Sequence, residues 1–352
     1  MISSRPRAAA PWRRWGVLVA AVLLGTGLLA GCGSGDSGGA ADAPGSAPVT
    51  GGTFPATVEH AFGTTTVPAA PARIVTVGYT DDQAVLAFGG RPVGMTDQYT
   101  NPPGQVPDIN TQWPWVKDLW GSARPEVVFT NGETAPNYEK IASLRPDLII
   151  AVYSEIDKAG YDQLSAIAPT VARTKTEKEP FSAPWQDNAI QIASALGKRG
   201  EGEQAVQRID ARIAQARQAH PQYANQTAVA LSWYENQVTP FTSTDVRGRL
   251  LTGMGFRSVP AIDRLAGPGE FSVALSPERL DLLNVDRIFV INDAADQQAI
   301  KNDPLFANLP AVKAGKVSYL LDSEGPAVGA ALSQTTVPSL PYAIDGLVRA
   351  AG

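Results

Sequence analysis

The sequence predicts an α/β fold of two α/β lobes joined by one long bridging helix, with a ligand cleft between the lobes. Three observations predict it. The first is Glu201 to His220, EGEQAVQRIDARIAQARQAH, which has no Pro and, after Gly202, no Gly. Val206, Ile209, Ile213 and Ala216 recur there at spacings of three, four and three, which is one face of a helix. At about 1.5 Å per residue the stretch reaches roughly 30 Å, the width of a small domain, so it spans lobes rather than turning a corner. The second observation is a repeat on either side of that helix. Asn137 to Val152 aligns with Ser276 to Ile291 without a gap, Glu139 on Glu278 and Asp147 on Asp286. Each copy has an N-capping residue, a glutamate in the first turn where it suits the helix dipole, and then an apolar run of the kind a buried strand needs. The third is a further match upstream: a helix ended by Gly89-Gly90 or by Gly255, then an extended piece at Pro92-Val93 or at Arg257 to Val259.

Residues 1–31 stand apart from this fold. Arg5, Arg7, Arg13 and Arg14 precede the uncharged run Trp15 to Ala30, and small residues follow, the layout of a secretion signal. The run is short for a membrane span. Leu29-Ala30-Gly31-Cys32 resembles the lipobox of bacterial lipoproteins, and by that resemblance Cys32 is the mature N-terminus and carries the lipid. Residues 32–56 are rich in Gly, Ser, Ala and Pro at first, with nothing to bury, and read as a flexible tether. Gly35 to Gly39 satisfies the hydrolase pattern G-x-S-x-G, but that pattern has meaning only on a strand–turn–helix, and here it lies in low-complexity sequence.

The remaining chain divides into a first lobe over 57–180, connecting helices over 181–222 and a second lobe over 223–352. In the first lobe Gly63 to Pro71 reads as turn-rich, Ile74 to Gly78 as a strand, Asp81 to Phe88 as a helix and Glu126 to Phe129 as a further short strand. Between Gly89 and Glu139 lie 50 positions, against 23 between Gly255 and Glu278, so the first lobe carries 27 extra residues. They hold Trp113, Trp115 and Trp120, and a long loop with that much aromatic surface is functional rather than disordered. Trp185 to Leu196 is a helix ended by Gly197. In the second lobe Ala228 to Ser232, Ile288 to Ile291 and Val317 to Leu321 read as strands. Gly248 to Gly255, Ser276 to Leu283, Asp303 to Leu309 and Pro341 to Ala350 read as helices.

Composition narrows the function. The 352 residues are 44 % hydrophobic and 18 % charged, a globular balance, and the formal charge of −5 falls to −9 once the four leader arginines go. An acidic chain without a basic stripe is a poor nucleic-acid ligand. With Cys32 acylated no thiol remains, and the only histidines are His60 and His220. Imidazole or thiolate metal sites, H-E-x-x-H, a phosphate loop and G-x-G-x-x-G are all missing, so neither an enzyme nor a resident cofactor is expected.

Aromatic residues instead gather just past the carboxyl ends of the predicted strands: Tyr79, Tyr153 and Trp233-Tyr234. Ligands of open α/β sheets bind at that edge. With Tyr99, Trp113 and Trp115 of the long loop they make a cleft of flat faces and few charges, suited to a large, partly aromatic or amide-rich ligand. Arg247 and Arg249, at a helix start, stand where they would neutralise an anionic one, or else are merely solvated.

Several segments resemble the iron–siderophore and vitamin B12 group of substrate-binding proteins of ABC transporters. They are Pro71 to Val75, Arg91 to Gly94, Glu139 to Ile149, Ala195 to Lys198 and Asp303 to Val317, in that order. The resemblance covers nearly everything after residue 57. It implies a monomeric, lipid-anchored protein outside the cytoplasmic membrane that captures a ferric siderophore, iron being present only as the chelate, and hands it to a permease dimer. Cobalamin or haem is the alternative ligand, and a sensory lipoprotein that keeps the fold is the alternative role. In the family, glutamates in the two repeated motifs dock onto permease arginines, and Glu139 and Glu278 are the residues that resemble them.

Overall fold

A computed structural model describes residues 47–98, 109–130, 133–323 and 325–352. The leader, Cys32 and Tyr99 lie outside the described residues. The first lobe is a parallel sheet of β3 (Ile74–Thr76), β4 (Pro92–Asp97), β5 (Glu126–Thr130), β6 (Leu148–Ala151) and β7 (Thr170–Ala172), in the order β5-β4-β3-β6-β7. It is preceded by an antiparallel hairpin of β1 (Ala56–His60) and β2 (Gly63–Val67). The second lobe holds β8 (Ala228–Tyr234), β9 (Gln237–Pro240), β10 (Arg287–Asn292) and β11 (Val317–Leu321), in the order β11-β10-β8-β9. Its strands are parallel except β9, which turns back on β8. β3, β6, β7 and β10 are buried at every position, as parallel strands covered on both faces must be; β6 is apolar throughout, and β10 is apolar between Arg287 and Asn292 at its two ends.

The repeat is visible in hydrogen bonds. Asp147, just before β6, accepts the backbone N–H groups of Ala72 (2.7 Å) and Arg73 (2.9 Å) at the start of β3. Asp286, just before β10, accepts the N–H and hydroxyl of Thr227 (2.7 Å each) at the start of β8. Two equivalent carboxylates thus set the register of two equivalent strand pairs.

The bridging helix runs from Arg199 to Ala219, 21 residues, or about 31 Å. It packs along the helices Trp185–Ala195 and Ser339–Ala351, and Arg212 pairs with Asp345 at 2.7 Å. Near its start Ala205 joins the core beneath the first sheet, and one turn on Ile209 joins the core beneath the second. One apolar face therefore serves both lobes.

Four sequence expectations are corrected. Gly63 to Pro71 is a strand over its first five residues, because the threonines alternate in and out and β-branched residues fit a pleat. Ser276 to Leu283 is a 3-10 helix at Pro277–Leu283, where the Ser276 side chain caps no backbone group and bonds to the Glu278 carboxylate instead. Asp303 to Leu309 keeps only a 3-10 turn at Phe306–Asn308, boxed in by Pro304 and Pro310. Gly248 lies inside its helix, Val246–Gly253, and Asp245 caps it by accepting from the Arg247 N–H.

Candidate functional site

The carboxyl edge of the first sheet carries a wall of rings. Tyr79 follows β3, Tyr153 follows β6 and Phe129 lies near the end of β5. Phe181, from the segment that leaves the lobe, meets Tyr153 at 4.8 Å and Tyr79 at 5.6 Å between centroids, and Tyr79 stacks on Phe129 at 6.2 Å. Burial, and then Glu155, push the Tyr79 phenol up, so it stays protonated and neutral in this wall.

Beneath the rings lies Asp81, 1 % exposed, at the first position of the helix Asp81–Ala87. Its carboxylate accepts the backbone N–H groups of Val152 (2.7 Å) and Tyr153 (3.0 Å). Gly78 is required opposite it, because a Cβ there would fall 2.0 Å from Asp81 Oδ2. The Tyr79 N–H in turn donates to the Tyr153 carbonyl at 2.9 Å. The helix start and two strand ends are thus tied together by one buried carboxylate.

The second sheet is finished differently. Trp233 and Tyr234 end β8, the former partly buried and the latter 64 % exposed. Asn292, the last residue of β10, accepts the Trp233 N–H (2.7 Å) and donates to the Trp233 carbonyl (3.0 Å), so a neutral amide does here what Asp81 does in the first lobe. Around it stand Asp293, Asp296 and Asp322; burial, then Asp293, push the Asp322 carboxyl up to about 6.

The long loop sits between the lobes. Trp113 and Trp115 stack face to face at 5.2 Å, and Trp115 Nε1 donates to Gln83 Oε1 at 2.9 Å. Gln83 also takes the Thr336 hydroxyl (2.7 Å) and donates to Gln334, both from the second lobe. Trp113, with Trp120, packs on Leu86 and Met95 of the first lobe and on Ala327 and Ala330 of the second; at 3 % exposed it is a core residue of this junction and not part of the ring wall.

Arg247 is engaged within the protein. It forms a two-point pair with Asp245 (2.7 and 2.9 Å) and lies 3.5 Å over the Phe241 ring. Arg249 donates to the Ser182 carbonyl (2.8 Å) and lines a cavity of about 240 Å³ with Phe181, Phe271 and Glu179. That cavity opens between the departing segment of the first lobe and the second lobe, beside the ring wall. A larger cavity of about 720 Å³ lies between β1, the residues that follow β7 and the helix Trp185–Ala195, and none of the ring-wall residues lines it. Glu139 and Glu278 are both exposed on their short helices.

The sequence pointed to the strand-end aromatics because each directly follows an apolar run. It did not point to Asp81, Asn292, Gln83 or Phe181. Asp81 looks like any acidic residue at a helix start, and the other three acquire their partners only through the fold, Gln83 across 251 positions and Asn292 across 59.

Among the described residues no helix is long and apolar enough to cross a membrane, and no group of three or more His, Cys, Asp or Glu is arranged to hold a metal ion. The fold has two lobes, a single long helix between them and aromatic strand ends, and the family model for periplasmic binding proteins matches residues 78–324. The chain belongs to that family. As a member of the periplasmic binding proteins it is 29 % identical over 280 residues to the probable siderophore-binding lipoprotein YfiY of Bacillus subtilis, covering 76 % of this chain and 80 % of that protein. A periplasmic solute-binding protein from Mycobacterium smegmatis superposes with a TM-score of 0.72 at 29 % identity, over 84 % of this chain and 99 % of that one. PiaA of Streptococcus pneumoniae, solved in complex with ferrichrome, gives a TM-score of 0.66 at 25 % identity, over 84 % and 97 % of the two chains.

Proposed function

We propose that this protein is the extracytoplasmic substrate-binding lipoprotein of an ABC importer, capturing a ferric siderophore and delivering it to the membrane permease. The observation that carries the reading is the ring wall at the carboxyl edge of the first sheet, with Trp233 and Tyr234 at the matching edge of the second. Flat aromatic faces match the bulky organic shell of a chelate, and its iron needs no ligand from the protein. The relatives' names point the same way: YfiY is a probable siderophore-binding lipoprotein and PiaA was solved with ferrichrome.

In this reading Tyr79, Tyr153, Trp233 and Tyr234 contact the chelate, with Trp115 behind them and Arg249 at the rim. Tyr99, from the long loop, is proposed to join them. Arg247 acts through its pair with Asp245, which fixes the helix start beside Arg249. Cys32 is the proposed lipid attachment site; of the tether expected over 32–56, Val49 and Ala56 are buried in the first-lobe core and Thr53 is bonded to Gly197, so only the stretch before Val49 is left to separate lipid from fold. Glu139 and Glu278 are the proposed permease contacts.

The test is quenching of tryptophan fluorescence by a panel of ferric hydroxamate, catecholate and citrate chelates, with cobalamin and haem beside them. Saturable binding of at least one ferric chelate, weakened about tenfold or more by Tyr153→Ala or Trp233→Ala, is the expected result for a truncated aromatic contact. Saturable binding of cobalamin or haem alone would overturn the assignment.

A further inference from the structure

The two strand ends that bear Tyr79 and Tyr153 converge on one side chain. Asp81 Oδ2 receives the Val152 N–H and Oδ1 the Tyr153 N–H, and the Tyr153 carbonyl in turn receives the Tyr79 N–H. Both oxygens of a 1 %-exposed carboxyl group therefore face donors. A second carboxylate stands behind the third ring: Glu177, 6 % exposed, lies near the N–H groups of Phe181, Ser182 and Ala183, with neither oxygen reaching full hydrogen-bond geometry. Phe181 is the residue that touches both Tyr79 and Tyr153.

We propose that Asp81 is the positioning residue of the ligand-binding ring wall, and that it holds Tyr153 in place only as a carboxylate, so that protonation loosens the wall and weakens capture. The claim rests on the siderophore reading above for the identity of what is captured. An ionised carboxyl group is acceptor-only, whereas a protonated one presents an O–H. Adding a proton to either oxygen removes its charge and takes up one of its lone pairs, so the N–H bond that oxygen receives is weakened.

The groups around Asp81 place the transition in an accessible range. Burial pushes its carboxyl up to about 6 against the pull of the Tyr153, Val152 and Gly78 N–H groups, and Glu177, a like charge, adds to the rise. Glu177 is itself pushed up by burial and drawn back by the same N–H groups it faces and by Arg173, the cation of this cluster. From the loop after β6 comes Glu155, which acts on Tyr79, and Asp82 adjoins on the helix itself. The second-lobe residues that line the same small cavity, Val246, Gln334, Thr335, Thr336 and Val337, are all uncharged.

Affinity and stability then move in opposite directions. The native pKa lies above the unfolded one, so between about 4 and about 6 the native state binds the extra proton and stability from this group falls as pH rises. Lowering the pH from 7.5 to 5 thus adds stability from Asp81 while it releases Tyr153. A residue that only supported the fold would move both together.

Two measurements test this. In the ligand-free protein, the amide proton resonances of Val152 and Tyr153 titrate with a midpoint near 6, and lose that transition in Asp81→Asn; flat Val152 and Tyr153 amides overturn the proposal. With a ferric trihydroxamate as probe, a chelate that keeps its iron from pH 5 to 8, affinity falls about tenfold between pH 7.5 and 5, the loss of one charge-assisted hydrogen bond. Asp81→Asn is weak and pH-independent, and Glu177→Gln shifts the midpoint downward because the like charge is gone. If Asp81→Asn does not fold, the wild-type and Glu177→Gln profiles decide alone. Titrating amides with a pH-independent affinity overturn the role in capture. Titrating amides with no binding of any ferric chelate at any pH overturn the siderophore reading, and leave Asp81 as the group that holds Tyr153.

Discussion

Asp147 and Asp286 show how much one residue decides in this fold. Each is a partly solvated carboxylate placed one residue before a strand, and each accepts two hydrogen bonds from the beginning of the neighbouring strand. The Thr227 groups hold the Asp286 carboxyl below its usual range, which is the signature of an acceptor used in its charged form. Its contribution is therefore complete above the unfolded aspartate value near 4 and is lost as pH falls through the lower folded value. Asp286→Ala should lower stability by about 1 to 2 kcal/mol, the worth of one or two such bonds at an accessible site, measured by urea unfolding at pH 7. The deficit against wild type should shrink as the pH is taken below 4. The repeat in the sequence aligned the two aspartates; it did not disclose that they bond the adjacent strand, because the partner of Asp286 is 59 positions away.

At the scale of elements, the joint between the helix Trp185–Ala195 and the bridging helix is the most constrained. Gly197 has a φ of +70°, and a Cβ on it would lie 2.6 Å from the Thr53 carbonyl oxygen and 2.8 Å from the Thr53 nitrogen. Its own carbonyl receives the Thr53 N–H at 2.9 Å, so the incoming chain is stitched to the helix end. Gly197→Ala meets both penalties, left-handed backbone and a collision with backbone that cannot swing away. It should cost about 2 kcal/mol or more in thermal unfolding. Gly200→Ala, in helical conformation with nothing near the new methyl, should be neutral or stabilising by up to about 1 kcal/mol. The glycine-ended helix was readable in the chain, since Gly after an apolar run marks a stop. The clash with Thr53 was not, because it depends on the first lobe folding back over that stop.

For the whole molecule, the two lobes are joined by more than the bridging helix. Gln83, Trp115, Gln334 and Thr336 form a polar junction buried between them, and Trp113 and Trp120 fill the apolar space beside it. A helix resists bending, and the buried hydrogen bonds that cross between the lobes add a second restraint, so large hinge opening is disfavoured. In the proposed docking role, the permease would meet a surface bearing Glu139 on the first lobe and Glu278 on the second, each exposed. We expect Glu139→Ala with Glu278→Ala to leave chelate affinity within about twofold of wild type while abolishing uptake in cells that carry the cognate permease, with each single change intermediate. Rim charges of this kind govern recognition and association rate more than fold stability. Normal uptake by the double variant would remove the docking role and leave two first-turn carboxylates, worth about 0.3 to 1 kcal/mol to a helix start.

What the sequence by itself determined is everything that repeats within a few residues. The period of Val206, Ile209 and Ile213 dictated the bridging helix, the apolar runs at 148–152 and 288–291 dictated central parallel strands, and the doubled pattern dictated two lobes. Aromatic residues directly after strand runs were legible as residues of the carboxyl edge, because a residue following a strand must emerge at its carboxyl end. What only the tertiary structure decided is which side chains meet across long separations. Asp81 lies 71 positions from Val152, Gln83 lies 251 from Gln334, and the Phe181 ring reaches Tyr153 from a segment outside the first sheet. Trp113 and Trp115, two residues apart, also went to different duties, the one into a core between lobes and the other onto a buried amide. Local periodicity sets which face of an element is apolar, but burial, and with it the Asp81 carboxyl pushed up to about 6, exists only once distant elements have closed over that face.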